Sequence, residues 1–337
     1  MPSAFIVEAV RTPAGKKRGA LSSIHPADLG AMVVDQLVAR TQVPPECVDD
    51  VIFGCVSKVG AQSANVARNV VLSSCLPISV PGTTVDRQCG SSQQAIHQAA
   101  QAVMSGTQDV IIAGGVECMS LVPIGSDMMD GMAAGRGNPW AGKRIQERFG
   151  EGIQFSQFDG AELLAQEYGI KKEELDGFAF ASHKKAAAAR DGGRFENEIL
   201  PIEGSKGLVG ADEGIRDTVS LEAISKMKTL KSGGLISAAT ASQISDGAAA
   251  VLVVNEKALR EFNLKPRARI VSLALAGADP VVMLGGPIPA SKTALKQAGL
   301  TIDDIDLYEV NEAFASVPLA WAKVCSQRGH HALNLFL

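Results

Sequence analysis

The residues best suited to chemistry lie in Val85-Asp86-Arg87-Gln88-Cys89-Gly90-Ser91-Ser92-Gln93-Gln94. The pattern predicts a strand ending near Asp86 and a helix beginning near Ser91, which puts Cys89 at or beside a helix N-terminus. There the unpaired backbone N–H groups and the helix dipole favour negative charge. Such a position lowers a thiol pKa and supplies a thiolate nucleophile. Gly90 leaves room for a substrate to approach the backbone, and the same amides would stabilise a tetrahedral oxyanion. Residue type and position alone leave a second reading open, a buried and inert thiol.

The elements around this segment alternate. Strands are predicted at Ala4–Val10, Asp50–Val56, Gly82–Asp86 and Val110–Ala113. Helices are predicted from Pro26 (Leu29, Val33, Leu37 and Val38 at helical spacing), over Ala64–Leu72 and over Ser91–Met104. This β-α-β alternation predicts a parallel or mixed sheet with helices on its faces. Between Ser120 and Glu162, Gly, Met, Pro and charged residues interrupt every period, which predicts an irregular lobe. Helices follow at Ala161–Tyr168, Leu175–Arg190 and Leu221–Met227, and a buried strand resumes at Gly247–Asn255. From Arg267 the pattern restarts, with a strand at Ala268–Ala274, a helix at Ala290–Ala298 and a strand at Ile305–Val310.

Bulk properties narrow the class. The net charge of −4, with no basic block beyond Lys16-Lys17-Arg18, argues against a general nucleic-acid surface. No apolar run approaches a membrane span, and the start has no basic segment followed by a long apolar stretch. The six cysteines include no Cys-x-x-Cys pair, so no zinc or redox motif is suggested, and a reducing cytoplasm is expected.

The segment around Cys89 closely resembles the active-site stretch of the thiolase superfamily, the acetyl-CoA C-acyltransferases, and five further stretches match in order. Arg11-Thr12-Pro13-Ala14-Gly15-Lys16 resembles the opening loop, and Gly114-Gly115-Val116-Glu117-Cys118-Met119-Ser120 the turn into the loop domain. Ser242-Gln243-Ile244-Ser245-Asp246-Gly247-Ala248-Ala249-Ala250 is similar to the return into the core. Pro280-Val281-Val282-Met283 with Gly286-Pro287-Ile288-Pro289-Ala290 fits the start of the second half. Asn311-Glu312-Ala313-Phe314-Ala315 matches another catalytic motif.

The resemblance implies an α/β thiolase fold of two similar layered units, with an N-terminal core unit (1–119 and 246–262), an inserted loop domain (120–245) and a C-terminal unit (267–337). It implies that Cys89 attacks an acyl-CoA thioester and becomes acylated. Asn311 would hold a water in one oxyanion hole, and the Cys89 N–H would serve the other. Arg216 and Ser242 would lie along the CoA groove, and Phe314 near the acyl end. Plainer readings are a helix cap for Asn311, a solvated Arg216 and a capping Ser242. No metal or organic prosthetic group is implied, only coenzyme A thioesters as substrates. A homodimer or dimer of dimers is implied as the assembly.

The likeness, read from about residue 4 to about 323, departs from the family afterwards. The family also uses a His in a Gly-His-Pro motif and a second Cys in a Gly-rich motif. Here Gly329-His330-His331 has no following Pro, and Cys325 lacks glycines. A truncated second unit with little or no turnover is therefore expected. The alternative function is a non-catalytic fragment that binds acyl-CoA or associates with a full-length subunit. A decarboxylating condensing enzyme shares the fold and nucleophile, but the Asn311 motif speaks for thiolase. The form of the Cys89 segment looks closer to the bacterial degradative branch for fatty acids or cyclic lipids, whereas the region Ser156-Gln157-Phe158 stands where biosynthetic members carry a His-Met pair.

Overall fold

The computed structural model describes residues 2–205 and 207–325. In chain order its elements begin with β1 (Ala4–Arg11), β2 (Gly15–Lys16), α1 (Pro26–Thr41), β3 (Asp50–Gly54), α2 (Val66–Ser73), β4 (Gly82–Val85), α3 (Ser91–Ser105) and β5 (Val110–Cys118). The middle holds α4 (Ser126–Ala133), α5 (Lys143–Phe149), α6 (Gln157–Glu167), α7 (Lys172–Asp191), β6 (Ile202–Gly204), β7 (Gly207–Val209) and α8 (Leu221–Ser225). Then come β8 (Ser245–Val254), α9 (Glu256–Glu261), β9 (Ala268–Ile270), α10 (Pro287–Ala298) and α11 (Ser316–Cys325).

Two compact units result. The first takes in the chain up to Pro139, Arg194–Gly214 and Ile244–Ile270. Its sheet is mixed, in the order β4-β3-β5-β8-β1-β9 with β2 beside β8. β3 runs parallel to β4 and β5, while β8 is antiparallel to β5 and β1. β5 is buried along almost its whole length, as a central strand with both faces covered must be. α1 starts where Pro26 follows His25, whose ring accepts the Ala27 N–H, and it buries Leu29, Val33 and Leu37 completely. These side chains join Phe53, Ile112 and Leu252 in one apolar core.

The second unit comprises Trp140–Gly193, Ile215–Gln243 and the chain from Val271. Its core gathers Leu164, Leu175 and Ile236 around Phe314, Val317 and Ala320. α6 packs on α11, α7 on α8 and α10 on α11.

Three sequence expectations change. The strand foreseen to Ala274 ends at Ile270, because β9 pairs with Ala4, Phe5 and Ile6 and β1 begins at Ala4, leaving no partner for further residues. In place of a strand at Ile305–Val310, the 3-10 turn Ile302–Asp304 leads into an irregular stretch. The Asp304 carboxylate accepts from the Thr301 N–H and hydroxyl, and the Tyr308 hydroxyl reaches back to the Ile302 carbonyl. Side chains that bond the local backbone compete with a ladder in this way. The lobe read as irregular contains α4 and α5; three of its glycines sit at their ends, Gly125 before α4, Gly142 before α5 and Gly150 after it, while Gly131 lies inside α4.

Candidate active site

Cys89 is exposed and lies in the turn between β4 and α3. Gly90 is the N-cap of α3 and gives no side-chain cap, so no hydroxyl or carboxylate of the cap residue covers the first turn. The turn is tightly bonded. The Gly90 N–H donates to the Arg87 carbonyl at 3.0 Å, and the Ser91 N–H donates to that of Gln88 at 3.2 Å. Ser91 Oγ accepts the Arg87 N–H at 3.0 Å and donates to the Gln88 carbonyl at 2.6 Å. Gln88 has φ +45°, the left-handed region that non-glycine residues rarely adopt.

Two close approaches seat this turn on the sheet. A Cβ on Gly54, the last residue of β3, would lie 2.4 Å from the Ser91 carbonyl carbon and the Ser92 nitrogen. A Cβ on Gly115 of β5 would lie 2.1 Å from Ser92 Oγ. Only glycine lets the helix start rest directly on the end of β3 and on β5. Beyond β3, Glu117 accepts the Val56 N–H at 2.8 Å and Gln62 Nε2 at 2.7 Å, while Gln62 Oε1 accepts the Cys118 N–H.

Charge is arranged around the turn. Asp86 accepts the Gln88 N–H at 2.9 Å and pairs with Lys58 at 3.2 Å. Arg87 Nε donates to Gln94 Oε1 on α3 at 2.8 Å. His97, a turn further along α3, has its pKa lowered by burial first and by the Arg87 charge second.

The remaining candidates lie in the second unit. Asn311 is exposed in the irregular stretch before α11, and that helix starts only at Ser316, so Asn311 is not its cap. Ser242 is exposed and starts no helix, which removes the capping reading; its N–H donates to the Ala313 carbonyl at 2.9 Å. The Ala315 N–H donates to the Thr240 carbonyl at 2.9 Å, pairing Ala241 with Phe314. Phe314 is buried, its ring meeting Phe158 edge to face with centroids 5.5 Å apart. Arg216 is exposed, and its N–H donates to His183 Nδ1 at 3.4 Å. Burial lowers the His183 pKa, with the Arg216 charge second.

Several contacts of these surroundings carry no sequence signal, although Glu312 itself stands in the Asn311 motif. Glu312 is half-buried on the hydroxyl of Ser182 at 2.9 Å, and burial raises its pKa against the opposing Ser182 bond and Lys185 charge. Glu162 is buried and accepts the N–H groups of Leu235 and Ile236. Both partners are distant in sequence, so no local pattern announces them. Among the described residues no group of three or more His, Cys, Asp or Glu side chains is placed to hold a metal ion, and no helix is long and apolar enough to cross a membrane. The Gly329-His330-His331 segment lies outside the described residues. Cys325 ends α11, and burial raises its thiol pKa.

A mixed sheet flanked by helices, which seats a cysteine turn on glycines of two adjacent strands, fits the class suggested by the sequence. The chain belongs to the thiolase family: the family's N-terminal domain matches residues 4–257 and its C-terminal domain residues 264–334. It is an enzyme of the thiolase kind. It is 50% identical over 324 residues to a steroid 3-ketoacyl-CoA thiolase of Mycobacterium tuberculosis, a match covering 96% of this chain and 79% of that protein. It is 42% identical over 328 residues to a 3-ketoacyl-CoA thiolase of Cronobacter sakazakii, covering 94% of this chain and 81% of that one. The crystal structure of the Bacillus anthracis acetyl-CoA acetyltransferase superposes with TM-score 0.82 at 34% identity, covering 96% of this chain and 83% of that one. The C-terminal match continues to residue 334, so the family likeness runs past Lys323, where the sequence reading ended it. The expected loss of turnover finds no support in these matches.

Proposed function

We propose that the chain cleaves 3-oxoacyl-CoA reversibly through an acyl-enzyme on Cys89. Cys89 Sγ attacks the 3-oxo carbon, the C2–C3 bond breaks, and C2 takes a proton as acetyl-CoA leaves. The thiol of a second coenzyme A, losing its proton, then attacks the acyl-enzyme and releases the shortened acyl-CoA with Cys89 restored. The observation that carries this reading is the exposed Cys89 beside the start of α3, a helix with no side-chain cap.

In this reading Asn311 holds a water in one oxyanion hole and the Cys89 N–H serves the other. Arg216 and Ser242 contact coenzyme A, and Phe314 backs the acyl end through its contact with Phe158. Substrates come from fatty-acid or steroid degradation, since one relative acts on steroid 3-ketoacyl-CoA and others on 3-ketoacyl-CoA by name. The family reading divides the chain into a core unit at 1–119 with 246–262, a loop domain at 120–245 and a similar second unit from 267. It also makes the protein a homodimer or dimer of dimers. Six free thiols accord with a cytoplasmic location.

The test is intact-mass analysis and thiolysis with acetoacetyl-CoA and a longer 3-oxoacyl-CoA, using the wild type and Cys89→Ala. The wild type should carry an acyl group on Cys89 and turn over, and the variant should do neither. An acyl group on another residue, or equal turnover by the variant, would overturn the reading.

A further inference from the structure

Besides its backbone bonds and the Asp86 carboxylate, the turn that carries Cys89 is held by the Ser91 hydroxyl. Ser91 is the first residue of α3, and a serine capping a helix would accept an N–H from further along the chain. Ser91 Oγ works in the opposite direction, accepting the Arg87 N–H at 3.0 Å and donating to the Gln88 carbonyl at 2.6 Å. Both partners precede the nucleophile, and Ser91 itself is only 5% exposed. Its backbone is pressed on the end of β3, where a Cβ on Gly54 would lie 2.7 Å from the Ser91 Cβ. The hydroxyl therefore projects from a helix start held against β3.

Gln88 lies between the two bonded groups with φ +45°. Its exposed side chain gives no packing that would hold that conformation, so hydrogen bonds must: the Asp86 carboxylate accepts the Gln88 N–H at 2.9 Å on one side, and the Ser91 hydroxyl donates to the Gln88 carbonyl at 2.6 Å on the other. If Gln88 relaxed to negative φ, the Gln88–Cys89 peptide plane would rotate, and the Cys89 amide and the Cα–Cβ direction would turn with it.

We propose that Ser91 is a positioning residue whose hydroxyl holds Gln88 in the left-handed region and so aims the amide and thiol of Cys89. This rests on the reading of Cys89 as the acylated residue. The hydroxyl makes both its bonds upstream of the nucleophile, to the Arg87 N–H and the Gln88 carbonyl.

The experiment measures the rate of acylation by acetyl-CoA in the full chain, by rapid quench and intact mass. Four proteins are compared: the wild type, Ser91→Ala, the double variant Ser91→Ala with Gln88→Gly, and Cys89→Ala. Ser91→Ala should acylate about tenfold more slowly at saturation, with the half-saturating acetyl-CoA concentration changed by less than about twofold. Glycine adopts positive φ without strain, so the double variant should recover most of the rate. A wild-type rate in Ser91→Ala overturns the proposal. So does a folded double variant that stays as slow as Ser91→Ala, because the loss would then not act through Gln88. Acylation of Cys89→Ala at the wild-type rate would instead remove the reading of Cys89 itself.

Discussion

The amide of Ser242 donates to the carbonyl of Ala313 at 2.9 Å, and that bond ties two sequence motifs together. With the Ala315-to-Thr240 bond it forms a short antiparallel pairing that places Ala241 opposite Phe314. Asn311 stands two residues before Ala313, so the bond to Ser242 anchors the chain just after it.

Replacing Ser242 therefore has two separable consequences. Ser242→Ala keeps the amide and should leave stability unchanged while weakening coenzyme A binding. Ser242→Pro deletes the donor and leaves the Ala313 carbonyl without its partner, a change expected to cost about 1–3 kcal/mol. Urea unfolding of both variants, with acetyl-CoA titration of the first, distinguishes the roles. Equal stability of the two would show that the bond carries nothing.

Gly115→Ala should be disproportionately harmful, since its new methyl would meet Ser92 Oγ at 2.1 Å and the Gly54 carbonyl at 2.7 Å. Overpacking of this kind costs about 1–3 kcal/mol, and here it displaces the start of α3. Gly177→Ala, inside α7 with nothing within 4 Å of the new methyl, should stabilise by about 0.5–1 kcal/mol. Denaturation midpoints check both signs, and acylation of Cys89 should fall in the first variant alone.

Glu312 predicts a pH dependence. Burial raises its carboxyl pKa above the ordinary 4.5. The folded state then binds more protons than the unfolded state just above that value, so this group's contribution to stability falls as pH rises through the window. Glu312→Gln stays neutral and its amide oxygen still accepts from Ser182. The variant should gain stability relative to the wild type as pH rises above 4.5. A difference in urea midpoint that does not change with pH would refute the assignment.

The cysteines should label in a defined order. Burial pushes the thiols of Cys55 and Cys118 up to about 12. Cys75 is exposed, yet burial of its thiol and the Asp35 bond raise it to about 11, leaving about a thousandth as thiolate at pH 8. Iodoacetamide at that pH should modify Cys89 first and Cys75 slowly, with Cys55 and Cys118 reacting only after unfolding. Peptide mapping over time reads the order, and early modification of Cys118 would contradict it.

Much of the site's local form was legible in the sequence. The strand–turn–helix around Cys89 was, because its determinants lie within a few residues of one another: β-prone Thr83-Thr84-Val85, Gly90 as N-cap and a helical pattern from Ser91. The family followed from motifs in order. The stretch Ile305–Val310 misled because its apolar residues suit a strand, while Asp304 just before it turns the chain by accepting the Thr301 N–H and hydroxyl.

Tertiary structure alone decided that Gly54 and Gly115 are where the helix start rests, that Ser242 meets Ala313, and that Glu162 closes the Leu235 and Ile236 amides. Local propensity operates through neighbours on the chain, where ordering costs little. Contacts between distant residues carry a loop-closure cost that is offset only once the core assembles around them, so no short stretch of sequence can announce them.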